Sequence, residues 1–320
     1  MKVKRQNLQI GYSITGGKIS LPYYIVGPDN KGQSIYIQGG IHGGETTFFI
    51  FHQLIHELQK TKILGRITLV PICNPYSWNQ KIYYYTSGKF SLYDGKDFNR
   101  NFPGSSSGTG AERLARQLSN LASDSKFSID LHTANRSRPY LIIPSKQYLK
   151  IAKASNMCYS IIFDMHEATK KGGGMPFTAA RIIEKQKSIA IECGSHDEFD
   201  QQNIDRTVEG ILNILNYLEV IRIRTTQKGK SSNANRQFYI DKLKIYRAPV
   251  SGFVKYLVSP EESFSKGQPL YKLYPSATLG KEIVTKAKEN GVVIMHADTN
   301  TVWEGDYVVE IAPKQNIHPL

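Results

Sequence analysis

The stretch Gly39-Gly40-Ile41-His42-Gly43-Gly44-Glu45 sets an imidazole and a carboxylate three residues apart and frames them with glycines. A His and a Glu at this spacing, leaving a strand and opening a helix, can converge on one metal ion. The glycines let the backbone bend sharply enough for both side chains to point the same way. A further ligand has to come from elsewhere, and Asp130-Leu131-His132-Thr133 supplies it at the end of a later apolar run. Two histidines and one carboxylate, with the fourth position left to water, form a catalytic zinc arrangement. A lone His-x-x-Glu would read as an ordinary helix start. The glycines, the strand-end position and His132 together predict one Zn2+ per chain, held by His42, Glu45 and His132.

The remaining histidines offer no competing set. His52 and His56 lie four apart on a helical stretch, but Lys60 stands where the next ligand would be needed. His166-Glu167 has Lys170 at the corresponding place. His296 and His318 lack a second ligand at useful spacing. His196 follows Glu192 closely enough to line a cleft.

The elements that position these residues alternate in type. Strand-like runs cover Ser34 to Gln38, Arg66 to Ile72, Phe127 to Leu131 and Ser188 to Ile191. Helical apolar spacing marks Thr46 to Gln59, Glu112 to Leu121 and Asp205 to Tyr217. Such alternation predicts an α/β fold with a mostly parallel mixed sheet and helices on both faces. Sites in such sheets collect at the carboxyl ends of strands, where these motifs fall. Polar, aperiodic residues follow, and then short strands and turns. The expected division is a hydrolase domain over 1–224, a linker over 225–236 and a small all-β barrel or sandwich over 237–320. A mobile lysine-bearing arm is not expected in the β body, because no Met-Lys or Asp-Lys pair sits at a hairpin turn. It reads as a fixed cap that restricts entry to small substrates or exposed peptide ends.

The chain has 320 residues, 40% of them hydrophobic, so a packed core is expected and global disorder is not. No apolar run reaches the ~18 residues of a membrane helix, and the basic N-terminus leads into no apolar segment. Three cysteines without CxxC spacing suit a reducing, cytoplasmic setting, with Cys193 a packing residue. The formal charge of +14 is spread along the chain rather than interleaved with aromatics, which disfavours nucleic acid and suits an anionic small molecule. A homo-oligomer stays open.

Five motifs in order, Gly-Gly-x-His-Gly-x-Glu, Asn74-Pro75, Asp97-Phe98-Asn99-Arg100-Asn101-Phe102-Pro103-Gly104, Asp130-Leu131-His132-Thr133 and Ile191-Glu192-Cys193-Gly194, resemble the succinylglutamate desuccinylase/aspartoacylase family, within the zinc carboxypeptidase-like fold. The likeness spans roughly residues 30 to 215, and the tail resembles the small β-barrel that family members carry. The resemblance implies that Asn99 and Arg100 clamp a substrate carboxylate, since a guanidinium offers a planar fork of donors. It implies that Asp97 stands behind a ligating His, fixing its tautomer, and that Glu192 is the general base and acid. The family also carries an Arg upstream of the Asp-x-Asn-Arg motif. Here Thr86 to Tyr93 contains none, and Lys89 is the stand-in, bringing charge without the fork. Arg181 is a further candidate carboxylate contact, and Tyr83-Tyr84-Tyr85 a candidate pocket wall.

The function these residues predict is zinc-dependent hydrolysis of an amide beside a carboxylate, with non-peptide amides such as N-acyl amino acids favoured. The rival readings are a zinc carboxypeptidase acting on short peptides and an inactive metal scaffold that only binds.

Overall fold

The computed structural model describes residues 3–28, 33–82, 85–164, 174–196, 198–223 and 236–320. The expected linker therefore lies, apart from Arg236, outside the described residues, as do Tyr83, Tyr84 and the His166-Glu167 pair.

Ten strands build the central sheet: β1 (Val3–Tyr12), β2 (Lys18–Val26), β3 (Ser34–Gly39), β4 (Arg66–Val70), β5 (Phe127–Ala134), β6 (Tyr140–Ile143), β7 (Tyr159–Ile162), β8 (Lys187–Ser195), β9 (Phe238–Ile240) and β10 (Ile317–Pro319). Their spatial order is β1-β2-β4-β3-β5-β8-β6-β7-β9-β10. Five of the nine neighbouring pairs are parallel, and three of these join β4, β3, β5 and β8 into an all-parallel centre. The sheet is thus mixed, with the parallel part where the chemistry was expected. The hairpin β1–β2 is antiparallel and extends one edge. Its alternation is half polar because it lies away from the covered centre.

Helices cover both faces. On one, α1 (Phe48–Gln59), α3 (Leu149–Ser155) and α5 (Gln201–Tyr217) pack Phe51, Leu54, Ile151 and Ile211 against Ile35, Ile37, Ile129 and Leu131. On the other, α2 (Gly110–Ala122) and α4 (Phe177–Ile183) pack Leu114, Leu118 and Phe177 against Tyr36 and Val70. Period-two alternation explains the split, since Ile35 and Ile37 face one way and Tyr36 the other. A reciprocal cap fixes the start of α2: the Glu112 amide donates to Thr109 Oγ1, and the Thr109 amide donates to Glu112 Oε2.

The last part of the chain forms two small antiparallel sheets around a shared core that includes Val254, Leu273, Val293, Val309 and Ile311. The runs Phe238–Ile240 and Ile317–Pro319 do not belong to it. They pair with each other, and Phe238–Ile240 continues the main sheet beyond β7. Ile240 is fully buried against Tyr140 and Ile161, which draws these strands onto the larger body. A third link forms where Met295 and His296 pair with Ser137 and Arg136, just past the end of β5.

Candidate metal centre and its cavity

The parallel centre fixes the site. Gln38 is opposite Asp130 and Gly39 opposite Leu131 across β3 and β5. His132 is opposite Glu192 across β5 and β8, and Glu192 opposite Tyr140 across β8 and β6. Strand ends from four neighbours therefore present Gln38, His132, Glu192 and Tyr140 side by side.

The loop from β3 to α1 carries the other two ligands and is tightly held. Gly40 sits at φ +67°, a conformation that a side chain disfavours. A Cβ on Gly43 would lie 2.1 Å from Thr86 Oγ1 and 2.4 Å from Ser77 Oγ. Asn74 explains the Asn-Pro motif: its fully buried side chain donates from Nδ2 to the Ile41 carbonyl at 2.7 Å, while Oδ1 accepts from the Tyr76 and Ser77 amides. Trp78 Nε1 adds a hydrogen bond to the Gly40 carbonyl at 2.9 Å.

His42 Nδ1 and His132 Nδ1 lie 2.7 Å and 3.2 Å from Glu45 Oε1. The three residues are buried, and one candidate donor atom from each lies within 4.8 Å of the others, so they could hold a metal ion. Behind them, His42 Nε2 is 3.1 Å from Asp97 Oδ1 and His132 Nε2 is 2.9 Å from Asp130 Oδ2. Each Nε2–H donates to a carboxylate, which leaves the Nδ1 lone pair free to ligate. Gln38 Nε2 in turn donates to Asp130 Oδ1 at 2.9 Å, and the Tyr36 hydroxyl donates to Gln38 Oε1.

The charges of this cluster are coupled. Burial opposes the charged form of Glu45, yet the two imidazoles outweigh it and hold the carboxyl well below its usual range. Burial also acts on Asp97, where the His42 hydrogen bond and charge prevail and bring it to about 2. His132 titrates well above the ordinary value, because Asp130 and Glu45 overcome a desolvation that would lower it. Glu192 behaves in the opposite sense. Burial and the neighbouring Glu45 push it up to about 7, despite His132, His42 and Lys89.

A metal fits this arrangement on the observation of two orphaned atoms. Glu45 Oε2 and Glu192 Oε2 are buried without a hydrogen-bond partner. A buried carboxylate oxygen without a donor is costly, and a cation between His42, Glu45 and His132 would satisfy the first of these.

The cluster opens into a cavity of about 390 Å3 lined by His42, Glu45, Lys89, His132, Glu192 and His196, among others. His196 Nδ1 lies 3.0 Å from Thr133 Oγ1. Lys89 reaches within 3.7 Å of Asp97 Oδ2 and is half-exposed. Asn99 and Arg100 lie behind the centre rather than in the wall. Asn99 Oδ1 accepts from the Phe177 amide at 2.9 Å, and its Nδ2 is 3.1 Å from His132 Nε2. Arg100 donates to the Asn99 carbonyl and keeps its guanidinium 3.8 Å from Asp97 Oδ2. Arg181, considered as a carboxylate contact, is not brought to the cavity. It is 1% exposed in α4, ion-paired with Glu184 at 2.9 Å and bonded to the Ala122 carbonyl. Its apolar stem serves the helix–sheet interface instead. His52 and His56 are exposed on α1, and Cys193 is a buried thiol pushed further up by burial.

Sequence reasoning missed several participants. Asp130 was within reach, because residues two apart on a strand share a face and Asp130 precedes His132 by two. Tyr140, Asn135, Met295 and Asp298 also line the cavity. The last two come from the β body, more than 100 residues from the nearest ligand, and no local pattern marks them.

Comparison with known proteins places this geometry in context. The model of the succinylglutamate desuccinylase/aspartoacylase catalytic domain matches residues 31–218. An N-alpha-acetyl-L-2,4-diaminobutyric acid deacetylase of Halomonas elongata is 24% identical over 317 residues, covering 92% of this chain and 86% of its own. Among solved structures, a succinylglutamate desuccinylase/aspartoacylase family protein of Shewanella amazonensis aligns with a TM-score of 0.84 at 22% identity, over 99% of this chain and 100% of that one. The ectoine utilization protein EutE (DoeB) of Ruegeria pomeroyi aligns with a TM-score of 0.80 at 17% identity, over 98% and 95%. The likeness to these structures is one of fold, and it runs through the β body as well.

Proposed function

Because the chain belongs to the succinylglutamate desuccinylase/aspartoacylase family, we infer that it is a zinc-dependent deacylase that hydrolyses the amide of an N-acyl amino acid. The observation that carries this reading is the buried His42-Glu45-His132 set beside a carboxylate, Glu192, whose orphaned oxygen belongs to a wall of the same cavity. The diaminobutyrate deacetylase relative supports an acyl amino acid over a peptide. His42, Glu45 and His132 would hold Zn2+, which N and O ligands of this kind favour. When bound, the ion supplies Lewis-acid chemistry, polarising a carbonyl and lowering the pKa of water to ~7.

The protein's own groups do the rest. Glu192 takes the proton of the attacking water on its carboxylate and returns it to the nitrogen of the leaving amine as the C–N bond breaks. Asp97 and Asp130 hold the two imidazoles in the ligating tautomer. Lys89 in the wall, with Arg100 beside Asp97, supplies the positive edge for the substrate carboxylate. Asn99 keeps His132 and the start of α4 in place. Met295 and Asp298 close the far side, which suits a small substrate rather than a long peptide. Three free cysteines suit a cytoplasmic setting.

The test is metal analysis of the purified protein coupled to a hydrolysis screen of N-acyl amino acids against short peptides. Glu192→Gln should keep its metal and lose roughly a thousandfold in kcat. His132→Ala should lose the metal. A fully loaded His132→Ala protein, or hydrolysis of peptides only, would overturn this reading.

A further inference from the structure

The cavity is polarised in a way that the deacylase reading does not require. Its metal-side rim carries Lys89, the one cationic lysine or arginine side chain among the described residues of its wall. The far wall, contributed by the β body, carries Asp298. Asp298 forms no ion pair with a described residue, in a chain whose formal charge is +14. Glu310 adds a second carboxylate there. It pairs in register with Met295, which lines the cavity, so the two side chains share one face of their strands. That face is turned away from the core of the β body, where Val309 and Ile311 point. Glu310 also forms no ion pair among the described residues, and burial together with Glu192 pushes it up to about 7. Beside it the Tyr307 hydroxyl is buried without a hydrogen-bond partner. Glu192 Oε2, in the same cavity, is a second buried acceptor without a donor.

A wall of unpaired carboxylates and free acceptors matches a ligand group that brings hydrogen-bond donors and positive charge. It repels an acidic side chain such as aspartate or glutamate. We propose that Asp298, backed by Glu310, forms a subsite for the side-chain ammonium of the substrate, so that the preferred substrate is an Nα-acylated diamino acid. This rests on the deacylase reading for the reaction, but the recognition itself does not.

Two measurements separate the two claims. In the first, the zinc-loaded protein hydrolyses Nα-acetyl-2,4-diaminobutyrate, N-acetylalanine and N-acetylaspartate. The diamino substrate should have the highest kcat/KM. Asp298→Asn and Glu310→Gln should each raise its KM roughly tenfold while leaving N-acetylalanine almost unchanged. In the second, binding of free 2,4-diaminobutyrate, alanine and aspartate is followed by calorimetry, which needs no turnover. Tighter binding of the diamine that weakens in Asp298→Asn supports the subsite even if no acyl amino acid is hydrolysed, a result that would sink the deacylase reading alone. Equal binding of diamine and alanine, or a preference for N-acetylaspartate, overturns the subsite even if hydrolysis is brisk. Loss of all three substrates together in the variants would mark a structural role for the wall and would also overturn it.

Discussion

At the scale of single residues, the site separates two kinds of buried carboxylate. Glu45 and Asp97 are held ionised by imidazoles, whereas Glu192 is pushed up to about 7 by burial and by Glu45. A base must be ionised to work, so kcat/KM should fall as pH drops through the value of Glu192. A bound divalent cation lowers that value by charge attraction. The acid limb of the rate profile is therefore expected at or below pH 7, and a limb well above 7 would remove Glu192 from the role. Asp130→Asn keeps the shape of the side chain but weakens the hold on the His132 tautomer. Zinc affinity should fall by roughly 10- to 100-fold, which competition with a chromophoric chelator would read. The ligands and Asp97 were legible in the sequence because spacing and flanking glycines are local signals. Asp130 was equally local but was overshadowed by its neighbour. Asp298 and Glu310 were not legible, since only the folded chain brings them to the cavity.

At the scale of elements, the loop from β3 to α1 is where local sequence and tertiary structure must agree. Its glycines read as bend points, and the structure adds a steric reason for Gly43, because Ser77 and Thr86 occupy the space of a side chain. Gly43→Ala should destabilise the protein by ~2 kcal/mol through overpacking, seen as a lower urea midpoint together with reduced zinc stoichiometry. Adding Thr86→Ala should recover part of both losses, and an unperturbed single variant would contradict the packing account. Long periodic helices and buried strands were readable at the centre of the sheet, where apolar content is continuous. The edge hairpin β1–β2 and the short strands β6 and β7 were not, because their alternation is weak or their length too small to carry a period. The pairing of β9 with β7 depends on partners about 80 residues apart in the chain, which no local pattern encodes.

At the scale of the whole molecule, metal binding and folding should be linked. The three ligands come from a loop and a distant strand, so the unfolded chain offers no comparable site. Zinc at about 100 times its dissociation constant should add ~2.7 kcal/mol to stability, read as a rise in the melting temperature that a chelator reverses. A melting temperature indifferent to zinc would mean that the ligand set does not act as a unit. The β body enters this picture as more than a lid. It leaves the main sheet at Ile240 and rejoins it at Ile317, on two strands that pair with each other, and a further ladder ties Met295 and His296 to Ser137 and Arg136. A flap fastened at one end can hinge, but one sewn down at entry, middle and exit has no free axis about which to turn. Substrate must thread a mouth of set dimensions and product must leave by the same one. Selectivity in this protein is thus a matter of gauge and polarity rather than of timing, and turnover should run without a slow gate.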